Sequence, residues 1–465
     1  MSKLEVNTIE PQCGTTLTLG GSGDTVTLAS GASQSGFGRT GTVDWQTTVK
    51  TSGFTASDGE GYFCNTTSGG FTVNLPAGSA GSIVALKDYA NTWDTGNLTI
   101  TPNGSDKIAG VASSTILSTE AQSVTLIFTD STRGWIDIHD STSSVVGAQY
   151  VTATGGNTVI TDGNFKTHVF TGPGTFCVSS AGNPGGSTKV DYVVIAGGGS
   201  GGVNCAGGGG GAGGFRLSNC VGSIPAPTMS PLVKACGALP VTATGYPITV
   251  GGGGAGRPAS PGNNGIKGSD SVFSTITSTG GGLGSGTSAG NGGTGGSGGG
   301  GAHSGGCGAS GNTPSVSPPQ GNDGGDSNPS VVGGDDCGGG GGGAGAASDG
   351  STNPQGGIGS YIADSFFGPT APSYGEAGPV SNTRYFAGGG GGGARGGPTP
   401  AGSTDGGVGG GGNGARGPSG SGGPETDGAV NTGSGGGGAV GPGGGYTPSG
   451  GGGSGIVLIR YKFQN

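Results

Sequence analysis

Charge is scarce in this chain. Only 9% of its residues are Asp, Glu, Lys or Arg, where ordinary globular domains carry about 25%. The 17 basic residues are outnumbered by 26 acidic ones, for a net charge of −9. Phosphate neutralisation needs clustered Lys and Arg, so nucleic acid is not an expected partner. Hydrophobic residues are also few, at 29%. Their runs, such as residues 193–196 and 456–459, fall far short of the ~20 needed to span a bilayer. Histidine occurs three times, and the eight cysteines (Cys13, Cys64, Cys177, Cys205, Cys220, Cys236, Cys307, Cys337) include no Cys-x-x-Cys pair. Zinc sites draw on ligands two to four residues apart, so neither metal nor cofactor is expected. The opening Met1-Ser-Lys-Leu-Glu-Val has no basic region followed by an apolar stretch. No signal peptide is expected, and the thiols are expected to be reduced. No segment carries a convincing helical period.

Glycine is what the chain has instead: 123 of 465 residues. Collagen would need glycine at every third position and far more proline than the 26 residues present. The glycines are not spread evenly. Residues 1–196 hold 28 of them and residues 197–465 the other 95, so composition alone divides an ordinary β-rich half from a glycine half.

In the first half, Thr16-Leu-Thr-Leu19 and Thr25-Val-Thr-Leu28 alternate around a glycine turn, the pattern of two short strands. So little chain buries too little surface to stand alone, and partners in an oligomer are expected. Residues 37–147 then read as a compact β domain. Strand candidates are residues 61–64, 71–75, 82–86, 98–100, 124–128 and 135–138, separated by turn signals such as Pro76-Ala-Gly78. Short strands at regular spacing predict a sandwich-like or barrel-like domain with Trp45, Trp93 and Trp135 in its core. Further strands run from Tyr150 to Ala196, and the chain closes on an apolar strand at residues 455–463. The expected architecture is all-β. An N-terminal stem (1–36) and a β-sandwich-like domain (37–147) precede strands (148–196) that lead into a glycine-rich domain (197–465).

One motif in the glycine half invites a nucleotide reading. Gly197-Gly-Gly199-Ser-Gly201-Gly202 follows a strand and fits Gly-x-Gly-x-x-Gly. A dinucleotide site also needs a helix at that point and an acid about 20 residues on. No Asp or Glu occurs between Asp191 and Asp270, and further glycine cannot propagate a helix.

A Gly/Ser-rich chain is commonly a flexible linker. Against that, the glycine half starts and ends in apolar strands, and stretches such as Gly292-Gly-Thr294-Gly-Gly-Ser297-Gly-Gly repeat in threes. Three residues per turn is the period of an extended left-handed helix with no internal hydrogen bonds. Without side chains, such helices approach until their backbones bond laterally, forming a polyglycine II bundle. Loops would then stand where the glycine stops: residues 312–319, 322–326, 360–374, 384–386 and 424–427. The aromatic and cationic members of these loops (Tyr361, Phe366, Phe367, Tyr374, Arg384, Tyr385) are the candidate recognition residues. Equally, Phe366, Phe367 and Phe386 would serve to cap the ends of the bundle.

These residues carry a resemblance. Lys3-Leu-Glu-Val-Asn-Thr-Ile with Cys13-Gly-Thr-Thr-Leu-Thr-Leu resembles the opening of fibre proteins of marine bacteriophages, cyanophages among them. Gly59-Glu-Gly-Tyr62-Phe63, Phe71-Thr-Val-Asn-Leu75-Pro and Arg133-Gly134-Trp135 resemble a β domain recurrent in phage tail fibres. The segment from Asp191-Tyr-Val-Val-Ile to Ile-Arg-Tyr461 is similar to glycine-rich fibre tips. The resemblance implies a virion tail fibre, a homotrimer made in the host cytoplasm. Its N-terminal part would join other virion proteins, and loops at the distal end of its glycine bundle would bind a host receptor, a polysaccharide or an outer-membrane protein. A virion protein with a purely structural role is the alternative. An enzyme is not expected. Glycoside cleavage uses two carboxylates held about 5–10 Å apart in a cleft, and the only adjacent pair, Asp335-Asp336, sits in a glycine turn.

Overall fold

The computed structural model describes residues 43–142, 148–225, 227–331, 335–350, 353–395, 404–417, 423–441 and 445–464. The expected stem, residues 1–36 with Cys13, lies outside them. The chain divides into two compact units, Met1–Val146 and Gly147–Asn465, and both are built from β structure.

In the first unit, successive strands alternate between two sheets. Asp44–Lys50, Glu60–Cys64 and Ile83–Asp88 pair in parallel in one sheet. The intervening Phe54–Thr55, Phe71–Asn74 and Leu98–Thr101 pair in parallel in the other. The chain therefore winds as a short two-sheet coil, each strand stacking on the one a full turn earlier. Ser123–Phe128 and Trp135–Ser141 then close the first sheet in antiparallel fashion, and Thr115–Leu117 closes the second. Val84, Leu86, Leu126 and Trp135 meet Val73, Leu75, Leu98 and Trp93 in one core between the sheets. The two-layer expectation holds, with parallel winding that local alternation does not reveal. One tryptophan departs from expectation: Trp45 sits at the edge, 41% exposed, with its ring 5.0 Å from that of Phe63.

In the second unit, the last strand occupies the middle of a sheet. Ile456–Lys462 lies between Phe165–Phe170 and Lys189–Ile195, antiparallel to both. Thr158–Asp162 and Phe215–Ser218 extend the sheet on either side. Its central strands are apolar at nearly every position because both faces are covered. Val190, Tyr192, Val194, Val457, Ile459 and Tyr461 face a second sheet, formed by Val151–Thr154, Gly174–Ala181, Gly245–Thr249, Ser271–Phe273 and Ile276–Ser278. Val193, Ile195, Ile456 and Leu458 face the opposite way, onto a cluster with Phe215, Phe366, Phe367 and Phe386.

From this sheet the glycine segments run as laterally bonded extended helices. Residues 207–214 form the best-surrounded one. Gly207, Gly210 and Gly213 donate to the carbonyls of Ala439, Gly436 and Gly433. Gly208, Gly211 and Gly214 donate to Ser285, Gly282 and Thr279, while Gly209 and Ala212 donate to Gly339 and Gly342. All eight distances lie between 2.7 and 3.0 Å. The partner number moves by three for every three residues, falling for antiparallel neighbours and rising for the parallel one. The same segment accepts bonds from Gly199 and Gly202, from Gly390 and Gly393, and from Ser297 and Gly300. It thus gives to three neighbours and takes from three others, the hexagonal contact scheme of polyglycine II. The linker alternative is excluded, and so is the nucleotide motif. Residues 197–203 are another such helix, donating in turn to residues 263–269, 450–453 and 208–211.

Close approach explains the glycine. A Cβ on Gly210 would stand 2.6 Å from the carbonyl carbon of Gly199 and 2.9 Å from that of Ser200, distances no real side chain tolerates. At the lattice edge, side chains replace the missing neighbour. Gly280 N–H donates to Asp270 Oδ1 and Gly308 N–H to Asp326 Oδ1, both at 2.8 Å. Gly311 N–H donates to Asp323 Oδ1 at 2.8 Å and Gly451 N–H to Asp427 Oδ1 at 2.6 Å. Four of the eleven acidic residues of the glycine half therefore cap amides that would otherwise lack a helix beside them.

Candidate functional site

The helices give the bundle two unlike ends. Its near end abuts the central sheet. Gly197, two residues beyond the strand, donates to Ser269 O, whereas Val203 donates to Asn263 O. Six residues at about 3.1 Å each carry the far end roughly 19 Å from the sheet.

The predicted recognition residues sit at the near end. Ser360–Ala363, Thr383–Phe386 and Glu376–Ala377 form a small antiparallel sheet, with two 3₁₀ turns at Asp364–Phe366 and Gly368–Ser373. Phe366 and Phe367 are fully buried and Tyr385 is 4% exposed, which corrects the expectation of exposed aromatics. Phe366 and Phe367 fill the space between the central sheet and the glycine helices, where Ala212, Ala344 and Ala387 replace glycine because their methyls meet rings instead of backbone. This is the capping role that the sequence left open. Tyr374 is half-buried and stacks on Phe367, with centroids 4.8 Å apart and planes at 16°. Tyr361 and Tyr385 form a cross-strand pair at 5.1 Å. Arg384 is tied into the fold: Nε donates to Tyr374 O at 2.7 Å and Nη2 to Gly375 O at 3.0 Å. The structure brings all six residues together, but as a wedge with one partly open edge at Tyr361 and Tyr374.

Two other predicted loops are also structural. Asn312 Oδ1 accepts from Val316 and Gln320 N–H, holding residues 312–320 as a closed turn. Asp323 and Asp326, with Ser310, Ser348 and Asp349, line a groove of about 390 Å³ on the flank of the bundle. Two of its carboxylates are the lattice caps already described, so the groove belongs to the scaffold.

The far end gathers polar side chains that the sequence reading passed over. Ala206 bridges Val440, Cys337 bridges Ala394, and Ala394 bridges Arg416. Asn204, His303 and Asp336 converge there. His303 Nε2 lies 3.0 Å from Asn204 Oδ1, which also accepts the Cys205 N–H, so Nε2 carries the proton. His303 Nδ1 faces Ser304 Oγ at 2.8 Å and Asp336 Oδ2 at 3.6 Å. Tyr446 meets Cys205 beside Arg395, and burial is the main cause that pushes its phenol above the ordinary value. Among the described residues, no group of three or more His, Cys, Asp or Glu side chains is placed to hold a metal ion. These positions are single interruptions in glycine runs. Nothing in their composition marks them, and their shared location follows only from the direction of each helix.

A sheet buried on both faces, feeding a lattice of glycine helices, defines a rigid scaffold with loops at its ends. The chain belongs to the glycine-rich domain family, which it matches over residues 171–462. That span starts just after Phe165–Phe170 and ends in the last strand, so the family unit includes the central strands Lys189–Ile195 and Ile456–Lys462 as well as the glycine helices. No curated protein matches the chain.

Proposed function

We propose that this chain is a bacteriophage tail-fibre protein whose glycine-rich unit binds a host cell-surface receptor during adsorption. The observation that carries this reading is the construction of the bundle. Its interior contacts are backbone to backbone, so the loops at its far end can change sequence without disturbing the helices that hold them. That is what a receptor-binding tip facing a variable surface requires. The resemblance of residues 3–19, 59–76 and 133–135 to phage fibre segments supplies the virion context. In this reading residues 1–36 attach to other virion proteins, the chain assembles as a homotrimer, and neither cofactor nor catalysis is involved.

A structural virion protein without host affinity is the second reading. It draws support from the burial of Phe366, Phe367 and Tyr385, which removes much of the expected aromatic surface. Fluorescently labelled full-length chain, applied to host cells in competition with phage, separates the two. Saturable binding that blocks adsorption is the expected result. A folded chain that binds no host cell leaves the structural role.

A further inference from the structure

The receptor reading above leaves open what the far end would grip. We propose that this end takes an anionic saccharide, anchored by Arg257 and Arg395 at opposite ends of the segment that carries Tyr446; the biological part of this inference rests on that reading.

Residues 446–449 cross the far end of the bundle. At one end of this segment Tyr446 lies over Gly441, where a Cβ would stand 2.6 Å from its ring carbon Cε1. Glycine is therefore required beneath the ring. The phenol touches the Cys205 thiol and lies within the field of the Arg395 guanidinium. At the other end, Ser449 and Arg257 grip each other: Ser449 N–H donates to Arg257 O at 3.0 Å, and Arg257 N–H donates to Ser449 Oγ at 3.1 Å. Four extended residues span at most about 13 Å, so two guanidinium-bearing residues flank one short segment.

Their side chains are not used up by the fold. Among the described residues, His303 Nδ1 faces Asp336 Oδ2 at 3.6 Å, whereas neither Arg257 nor Arg395 has a carboxylate within salt-bridge distance. Arg257 Nε is withdrawn from solvent and has no hydrogen-bond partner. Arg384 donates through Nε and Nη2 to backbone carbonyls, and Arg460 donates through Nη1 to Val221 O although its Nε is also without a partner. An acidic chain of net charge −9 has carboxylates to spare, and it leaves these two cations without one. A planar guanidinium matches the paired oxygens of a carboxylate or phosphate. An aromatic wall beside it offers an apolar surface for the C–H face of a sugar ring. The flank groove does not compete for such a ligand, since Asp323, Asp326 and Asp349 would repel it.

The test is calorimetric titration of the full-length chain with a galacturonic acid tetrasaccharide, with glucose 6-phosphate and with neutral maltotetraose. Saturable binding of an acidic probe, weakened by salt and absent for maltotetraose, is expected; which probe binds tells carboxylate from phosphate. Arg257→Gln and Arg395→Gln should each weaken it roughly tenfold, as loss of a charge-assisted hydrogen bond entails. Arg216→Gln, whose side chain bonds Thr277 O on the sheet, should leave it unchanged, with all three variants melting like the parent. Binding of neither acidic probe, or binding indifferent to both far-end variants, overturns the site. Cell binding separates this from failure of the receptor reading. Host cells that bind parent and variants equally, with probe binding also indifferent to the variants, sink the arginine site alone, whereas probe binding lost in the variants, without cell binding by the parent, sinks only the receptor role.

Discussion

Replacing Gly210 by alanine tests the lattice at its centre. Gly210 donates to Gly436 O at 2.8 Å and accepts from Gly390 N–H at 2.9 Å, with residues 199–200 directly above its Cα hydrogens. The added methyl would stand 2.6 Å from the Gly199 carbonyl carbon, where carbon atoms settle at about 3.5–4.0 Å. Residues 197–203 must then move outward by roughly 1 Å, weakening the bonds from Gly199 to Gly211 and from Gly202 to Gly208. Two lateral bonds at about 1 kcal/mol each, with about 1–3 kcal/mol of overpacking, give about 3–5 kcal/mol. Alanine restricts the unfolded chain and returns about 0.4–1 kcal/mol. The net loss is about 2–4 kcal/mol, or a melting temperature lower by about 3–6 °C for a unit of this size. Gly252 is the matched control. It belongs to the same bundle, but a Cβ there meets no heavy atom within 4 Å. Gly252→Ala should be neutral or stabilise by up to about 1 kcal/mol. Differential scanning calorimetry of the two variants decides the matter, and equal shifts would refute the close-packed lattice.

Other consequences are independent of it. His168 is 1% exposed, with Nδ1 on Gly155 O at 2.7 Å and Nε2 on Tyr461 OH at 3.1 Å. Burial lowers its pKa below the ordinary 6.5, so the unfolded chain binds a proton that the folded one refuses. Stability of the second unit should be full above about pH 6.5 and decline as pH falls toward the folded value, and His168→Gln should flatten that slope in urea titrations. Burial also pushes the Cys64 thiol up to about 12. Brief native alkylation read by mass spectrometry should spare Cys64 and Cys337, which are buried, and label Cys177, Cys220, Cys236 and Cys307, which are exposed. Asp427→Ala should cost about 1 kcal/mol and speed hydrogen exchange at Gly451, whose amide it caps; unchanged exchange there would remove the edge-cap account.

The legible and illegible parts of this fold separate by the range of the interaction that decides them. Alternation located Phe71–Asn74, Leu98–Thr101 and Ser123–Phe128 to within a residue or so, because a strand with one buried face writes its period into its own sequence. The triplet period at residues 292–299 likewise exposed the extended glycine helix. Parallel winding of the first unit was not legible, since the partner of Glu60–Cys64 lies a whole coil away, at Ile83–Asp88. The near-end wedge is illegible for a related reason. Residues 360–374 read as a loop outside the glycine, and only the return of Ile456–Lys462 to the middle of the sheet places them against Leu458. The far-end residues are not legible because they lie outside the longest inserts. Arg257, Arg395 and Tyr446 are isolated letters until the antiparallel and parallel runs of the helices bring them to one end.

The most direct test of the central claim is amide hydrogen exchange, resolved by residue, across 207–214 in the full-length chain. Every amide in this segment is bonded, in rotation, to one of three different neighbours. The account predicts slow exchange at all eight positions, lost together only when the whole unit unfolds. Exchange at the rate of a free glycine chain, or protection confined to one residue in three, would contradict a bundle bonded on every side.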